Sequence, residues 1–378
     1  MRHSPARLRL AILGTRGVPA RYGGFETFAE QLSIRMARRG HEVRVYGRSR
    51  YAADPPPAPI DVVTLPAVYT KHLETVSHGL LATLHLASRP VDAAIVCNAV
   101  HAPLLPLLRA AGVSTVLNVD GLEWRRRKWG AAARTVHRLA EHLAVACADA
   151  VVTDARTVQT YYRERHGAET TFIPYGGDLP PAAAGETLSS LGLSPRGYDL
   201  CVCRFEPENH PLLVVGARNR LSFRRPLVLV GGAPYAHAYE ARIRAAAGEG
   251  VLLAGFRFGA AYRELLFQAR AAIVATEAGG SHPVLLEAMG AGLPVLYSNT
   301  PENREVAADT GLPFPVGDEL ALASSWLRLE EDPGLGLELG RRAAARIASS
   351  YRWEQVTDAY EDLLRGLVIR ETRPRSRA

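Results

Sequence analysis

The sequence predicts an α/β protein built from two doubly wound domains, each a parallel sheet covered by helices on both faces. Three observations carry this. Short apolar, β-branched runs alternate with longer stretches of helical period, the pattern of repeated strand–helix–strand units. The alternation pauses once, in a Pro-, Gly-, Ala- and Ser-rich stretch at residues 177–197 that reads as a linker. The length, 378 residues, suits two domains at about 150 residues each.

In chain order, the strands predicted for the first half are Leu8–Gly14, Glu42–Tyr46, Val62–Leu65, Ala93–Cys97, Thr115–Val119, Ala150–Thr153 and Thr171–Pro174. Those of the second half are Leu200–Arg204, Leu227–Val230, Val251–Ala254, Ala271–Ala275 and Pro294–Tyr297. Phe25, Phe28, Leu32 and Met36 recur at helical spacing and give one apolar face, with Gly40 as the stop after Arg38 and Arg39. A final helix is expected from Trp353 to Val368. The domains are therefore expected at residues 1–178 and 198–350, with a C-terminal helix at 351–370.

Composition narrows the class. Apolar residues make up 47% and charged residues 22%, which suits a folded globular chain rather than disorder or collagen. No run approaches the roughly 18 apolar residues of a membrane span; Leu80–Leu86 is short and contains His85. Leu8–Leu13, interrupted by Arg9, does not make a secretion signal. A cytoplasmic location follows as the expectation. Cys97, Cys147, Cys201 and Cys203 are too few for a disulfide framework. Cysteine and histidine are not clustered at zinc spacing, so no metal is expected. Residues 1–180 hold 23 Lys+Arg against 15 Asp+Glu, a balance of +8, and residues 181–378 hold 22 against 23, a balance of −1. A basic first half suits an anionic partner: nucleic acid, a lipid surface or a phosphorylated substrate.

Four segments carry candidate chemistry. GTRGVPARYGG, from Gly14 to Gly24, joins a strand end to a helix start. Glycine lets backbone amides approach a ligand, and the helix N-terminus favours an anion. Neither the dinucleotide fingerprint nor a P-loop is present, and a turn that merely permits tight packing is the alternative. EAGGSHPVLLEAMGAG, from Glu277, repeats the logic: Gly279, Gly280 and Ser281 precede a helix opening at Pro283. Glu287 lies one turn deeper on the Pro283 face, where it could accept from sugar hydroxyls or be a helix-surface charge. In CRFEPENHP, Arg204 ends a strand, where a guanidinium suits a diphosphate; an ion pair with Glu206 or Glu208 is the alternative. In NVDGLEWRRRKWG, Asp120 could orient an acceptor hydroxyl or cap a turn before Gly121. Trp124 and Trp129 flank Arg125–Lys128, either a solvated helix face or an interfacial contact.

Jointly these motifs resemble retaining glycosyltransferases of the GT-B fold, in family four. GGFETFAEQLSIRMARRGHEVRVY resembles the acceptor-domain glycine loop and helix, GGSHPVLLEAMGAGLPVL the donor-domain signature, and YRWEQVTDAYEDLL the C-terminal helix that returns to the first domain. GTRGVPARYGGFETFAE, NVDGLEWRRRKWG, YYRERHG, FEPEN and NREV resemble a rhamnosyltransferase-like subgroup of capsule and cell-wall polysaccharide synthesis. The likeness spans residues 8–365. The chain departs from the wider family at two points. Gly279 stands where the family's first signature glutamate would be, and Asn209 where a lysine follows the arginine. From the subgroup it departs at His282, which replaces an asparagine near the donor sugar.

The resemblance implies two Rossmann-like domains facing across a cleft and a nucleotide-diphosphate sugar as co-substrate, with no cofactor and no nucleic acid. Arg204 and Asp120 would be the catalytic residues. Gly23, Gly24, Arg204, Asn209, Gly280, Ser281, His282 and Glu287 would form the donor site. The acceptor would be a saccharide or a polyprenyl-diphosphate-linked saccharide, with residues 124–129 meeting an anionic membrane at the inner face of the plasma membrane. Another hexosyl donor (glucose, mannose or N-acetylglucosamine) and a nucleotide-sugar binder without turnover stand as alternatives. The missing dinucleotide fingerprint counts against a nicotinamide-dependent oxidoreductase.

Overall fold

A parallel strand must be followed by a crossover to reach its neighbour, and the crossover is usually a helix. The computed structural model describes residues 7–21, 23–52, 59–70, 72–234 and 236–372, and most of its strands are followed by a helix before the next strand. It divides into two units: one of the residues up to Trp124, Ala131–Pro174 and those from Trp353 on, the other of Arg125–Gly130 and Tyr175–Arg352.

In the first unit the strands are β1 Arg9–Leu13, β2 Glu42–Arg48, β3 Asp61–Leu65, β4 Ala93–Cys97, β5 Ser114–Asn118, β6 Ala150–Thr153 and β7 Thr171–Phe172. They form one sheet in the order β3-β2-β1-β4-β5-β6-β7. The observed pairings are parallel, with Ile12 beside Val45 on one side and Ile95 on the other. Strands β4 and β5 are buried at every position; β4, AAIVC, accordingly reads as a continuous apolar run, while β5 also buries Ser114, Thr115 and Asn118. Helix Gly24–Arg38 buries Phe28, Leu32 and Met36, while Phe25 is only half-buried. Gly40, at φ +93, turns the chain out of it.

The last helix, Trp353–Thr372, belongs to this same unit. Its Tyr360 ring lies 5.2 Å from that of Phe28, and the Tyr360 hydroxyl accepts a hydrogen bond from Asn118 Nδ2 at 2.9 Å. Glu354, Asp358 and Glu361 all pair with Arg39. Helix Glu74–Ser88 buries His78, Ala82 and Leu86 but leaves Leu73 just before it, and Val76, Leu80, Leu81 and Leu84, exposed.

The second unit has β8 Asp199–Val202, β9 Leu227–Val230, β10 Val251–Gly255, β11 Ala271–Val274, β12 Val295–Ser298 and β13 Leu312–Phe314, in the order β10-β9-β8-β11-β12-β13. Strand β13 is absent from the sequence expectation. Three residues with a central proline show no period, and proline is confined to sheet edges of this kind. Residues 177–197 are more than the linker their composition suggests. They contain the helix Glu186–Ser190, and Glu264 accepts the amides of Gly185 at 2.7 Å and Leu188 at 2.9 Å.

Strands β8 and β11 are tied at their starts by a buried charge. Asp199 is fully buried. It accepts a fork from Arg270 at 2.8 and 2.7 Å and the indole N–H of Trp326 at 2.7 Å. Removing Asp199 takes the acceptor from the Trp326 indole and from two nitrogens of Arg270, which keeps Glu330 and the Leu329 carbonyl through Nη1; breaking a buried pair of this kind costs about 3–5 kcal/mol. Asp199→Ala should lose stability of that size in urea unfolding. A loss below about 1 kcal/mol, the value of an exposed pair, would show that the cluster does not hold the two strands.

Candidate functional site

In a parallel sheet all strands deliver their C-terminal ends to one edge. A crevice opens there where the strand order reverses and successive crossovers leave to opposite faces. In the second unit the order reverses between β8 and β11. Residues 203–210 follow β8, and residues 275–282 follow β11. The Glu277 amide donates to the Glu208 carbonyl at 2.9 Å, and the Glu277 carboxylate meets His210 Nε2 at 2.8 Å. The two candidate loops are thus stitched into one surface.

Arg204 leads the first loop. Its Nη1 lies 3.5 Å from Glu206 Oε2, so the alternative ion pair is present. Asn209 is buried, and its amide donates to the Arg204 carbonyl at 2.8 Å. Asn209 therefore shapes the backbone that carries Arg204. Glu208 is fully buried; burial, and then the charge of Glu206, push its carboxyl above the usual range. Burial works in the same direction on Glu206, but the charges of Arg204, Lys128 and Arg126 outweigh it and hold that carboxyl low.

Gly280 and Ser281 are buried just before helix Pro283–Gly290, whose first position is the proline. His282 is its extended N-cap residue. His282 Nδ1 lies 2.7 Å from Asn303 Oδ1, and Asn303 Nδ2 donates to the Ser298 carbonyl at 2.9 Å. With the amide so oriented, Nδ1 is the donor. A Cβ on residue 279 would sit 2.7 Å from His282 Nε2. Gly279 and His282 are thus a matched pair, since a side chain at 279 would have to displace the ring. Glu287 is buried on the same helix and accepts a short hydrogen bond from the Tyr262 hydroxyl. Burial, reinforced by Glu287, pushes the Tyr262 phenol well above its ordinary range, so it stays a donor.

The first unit repeats the topology, with its reversal between β1 and β4. Gly14 follows β1 at φ +93, and a Cβ there would lie 2.2 Å from the Cys97 carbonyl oxygen at the end of β4. Only glycine fits. Gly23 is the extended N-cap of helix Gly24–Arg38, with no side-chain cap. Glu26 turns back from the first turn to accept the Arg16 amide at 2.8 Å. Asp120, just beyond β5, has φ +56, a region that Asp tolerates better than most residues. Its amide donates to Asn118 Oδ1 at 2.9 Å. Gly23, Gly24 and Asp120 thus belong to the first unit. Arg204, Asn209, Gly280, Ser281, His282 and Glu287 belong to the second.

The basic run does not form the solvated helix face that one reading allowed. Only Glu123–Arg125 makes a helical turn, and Arg126 is buried. Arg127 donates to Glu277 at 3.0 Å, and Lys128 Nζ lies 3.6 Å from Glu206. Sequence reasoning missed this engagement, as it missed Tyr262 and the support of Asn303 beneath His282. NREV, which contains Asn303, was a visible signal. Tyr262, alone in a helix, left none.

Residues 23–176 match the family described as a glycosyl transferase 4-like domain, and residues 198–332 match the glycosyl transferases group 1. Three solved structures share the fold. Sucrose-phosphate synthase from Thermosynechococcus elongatus is 20% identical, with a TM-score of 0.78 over 96% of this chain and 100% of that one. Anabaena HepE, solved in complex with UDP and glucose, is 15% identical, with a TM-score of 0.76 over 96% and 100%. An α,α-trehalose-phosphate synthase (UDP-forming) from Burkholderia vietnamiensis is 12% identical, with a TM-score of 0.69 over 98% and 99%. No curated protein sequence matches the chain. Each half thus matches a glycosyl transferase family, and the chain is a glycosyltransferase of the GT-B fold.

Proposed function

We propose that the chain moves a sugar, with retention of configuration, from a nucleotide-diphosphate sugar to a saccharide or polyprenyl-diphosphate-linked saccharide in polysaccharide synthesis. The observation that carries the donor is the joined pair of loops at the β8/β11 reversal. They combine a guanidinium, Arg204, with a helix N-terminus at Gly280–Ser281, and Glu287 lies one turn deeper. The likeness to Anabaena HepE, a protein solved in complex with UDP and glucose, supports a nucleotide there. The motif resemblance favours rhamnosyl as the sugar.

In this reading Glu287 holds the ribose hydroxyls, with Tyr262 fixing its carboxylate. Arg204 and the Gly280–Ser281 amides hold the diphosphate, Asn209 sets the loop, and His282 borders the sugar. On the first unit, Gly23 and Gly24 offer backbone amides suited to a phosphate, and Asp120 offers a carboxylate suited to an acceptor hydroxyl. As the glycosidic bond breaks, negative charge grows on the departing diphosphate. Donors already aimed at it stabilise that charge without reorganising. The donor phosphate takes the acceptor's proton, so no separate base and no metal ion are required.

A lipid-linked acceptor calls for contact with a membrane surface. No described helix is long and apolar enough to cross one. Arg127 and Lys128 are engaged with Glu277 and Glu206, so we assign the contact to the exposed Val76, Leu80 and Leu84 stripe of helix Glu74–Ser88, with Leu73 just before it.

Two measurements test this. Arg204→Ala, assayed with chelator present, should keep its fold and lose about a hundred- to a thousand-fold in kcat. Arg204→Lys should recover part of that, since an ammonium keeps the charge but not the fork. Glu287→Gln should weaken UDP, dTDP or GDP binding by about 1.5–3 kcal/mol. Normal kcat in a folded Arg204→Ala would remove the diphosphate from this loop, and binding without turnover or donor hydrolysis would favour a sugar-nucleotide binder. Separately, replacing Leu80 and Leu84 by serine should weaken partition onto anionic liposomes by about a hundredfold or more, given about 1.5–3 kcal/mol for each buried leucine. Equal pelleting of variant and wild type would refute the membrane contact.

A further inference from the structure

Glu206 bridges two cations. Its Oε2 lies 3.5 Å from Arg204 Nη1 and its Oε1 lies 3.6 Å from Lys128 Nζ. Both distances are long for a charge-assisted hydrogen bond, which prefers about 2.7–2.9 Å. The carboxylate therefore sits between the cations without closing tightly on either. Lys128, Glu206 and Arg204 are each largely withdrawn from water, with side-chain exposures of 18%, 17% and 24%. The Arg126 charge bears on the same carboxylate, and Arg126 is itself buried. Arg127, next along the segment, is anchored on Glu277, in the loop that is bonded to Glu208. The segment Arg125–Gly130 is thus seated in the second unit, beside the loop that begins with Arg204.

Two cations held apart by one loosely fitted carboxylate make a receptor for a larger anion. A diphosphate offers more oxygens and more charge than a carboxylate, and a lone guanidinium does not match the charge that accumulates on it as it leaves. We propose that Lys128 is the second cationic contact to the donor diphosphate and that Glu206 is its placeholder, an anion that keeps Arg204 and Lys128 together until the diphosphate takes its position between them. This deepens the donor-site reading above and rests on it. The diphosphate is the group recognised; the base and the sugar are not contacted.

A plain structural ion pair and a placeholder predict opposite outcomes. Removing either member of a structural pair lowers stability and leaves ligand affinity alone. Removing a placeholder removes a competitor. The test is direct measurement of UDP and uridine binding to wild type, Lys128→Gln, Lys128→Arg and Glu206→Gln, with melting curves to show that each is folded. Lys128→Gln should weaken UDP by about tenfold or more and leave uridine unchanged, the range of one charge-assisted contact. Lys128→Arg should fall between that variant and wild type. Glu206→Gln should tighten UDP and leave uridine unchanged. Weaker UDP binding to Glu206→Gln, unchanged UDP binding to Lys128→Gln, or an equal loss for uridine would overturn the proposal. Should Lys128→Gln fail to fold, the sign of the Glu206→Gln effect decides alone. If Arg204→Ala loses UDP while Lys128→Gln keeps it, the donor site stands and this proposal falls. If wild type binds none of UDP, dTDP and GDP, the donor site falls and takes the proposal with it.

Discussion

Parallel pairing is the constraint on which the rest of the molecule depends. Each observed strand pair in both sheets runs parallel. Chain that leaves a strand must return over one face before it can pair again, so all strands of a sheet end on the same edge. At that edge the backbone is released from the ladder, and its amides become available. Where the order reverses, at β1/β4 and at β8/β11, neighbouring crossovers part and expose the strand ends. Gly14 and Asn98 follow the first reversal, and Arg204 and the Gly280–Ser281 turn follow the second. Chemistry-bearing residues collect at these places because a strand end there leaves polar backbone unpaired beside a helix start.

The second unit concentrates charge at its reversal to an unusual degree. Glu206, Glu208 and Glu277 meet Arg204, His210, Arg126, Arg127 and Lys128 within a few residues of two strand ends. Isolated charges do not survive such burial, and here each sign is present to offset the other. The basic residues from 125–130 are coded in the first half of the chain, which carries the positive surplus, yet they serve the half that carries none. A net charge per half is therefore a poor guide to where an anion is held. The lopsided count suggested an anionic partner for the first half, whereas part of that charge sits in a loop cluster of the second unit.

Much of the architecture was legible in the order of the residues. Continuous apolar runs such as AAIVC and LVLV declare strands covered on both faces, and the spacing of Phe28, Leu32 and Met36 declares a helix face. Strand β13 was not legible, since Leu-Pro-Phe has neither the length nor the period to signal itself. The glycine turns and Arg204 were visible as types at strand ends. The ion pair of Arg204 with Glu206 was among the readings, but contacts from far along the chain were not legible: Tyr262 reaches Glu287 from 25 residues away, and Arg127 reaches Glu277 from 150. Pairings of that kind come from topology, and a one-dimensional pattern holds no record of them. The Trp-flanked basic run shows the same limit, for its composition does not reveal that Arg127 and Lys128 are engaged with carboxylates of the chain.

The return of helix Trp353–Thr372 to the first unit bears on how this protein is made. On the ribosome, β1 to β7 emerge early, but the ring that covers Phe28 and the hydroxyl that meets Asn118 emerge only after the whole of residues 175–352. Until then the nascent first sheet has an uncovered apolar flank, while residues 175–352 can already be complete. The half synthesised first is the half finished last. A premature stop codon near residue 350 would therefore spare the unit it interrupts and strip the one begun at the opposite end of the message.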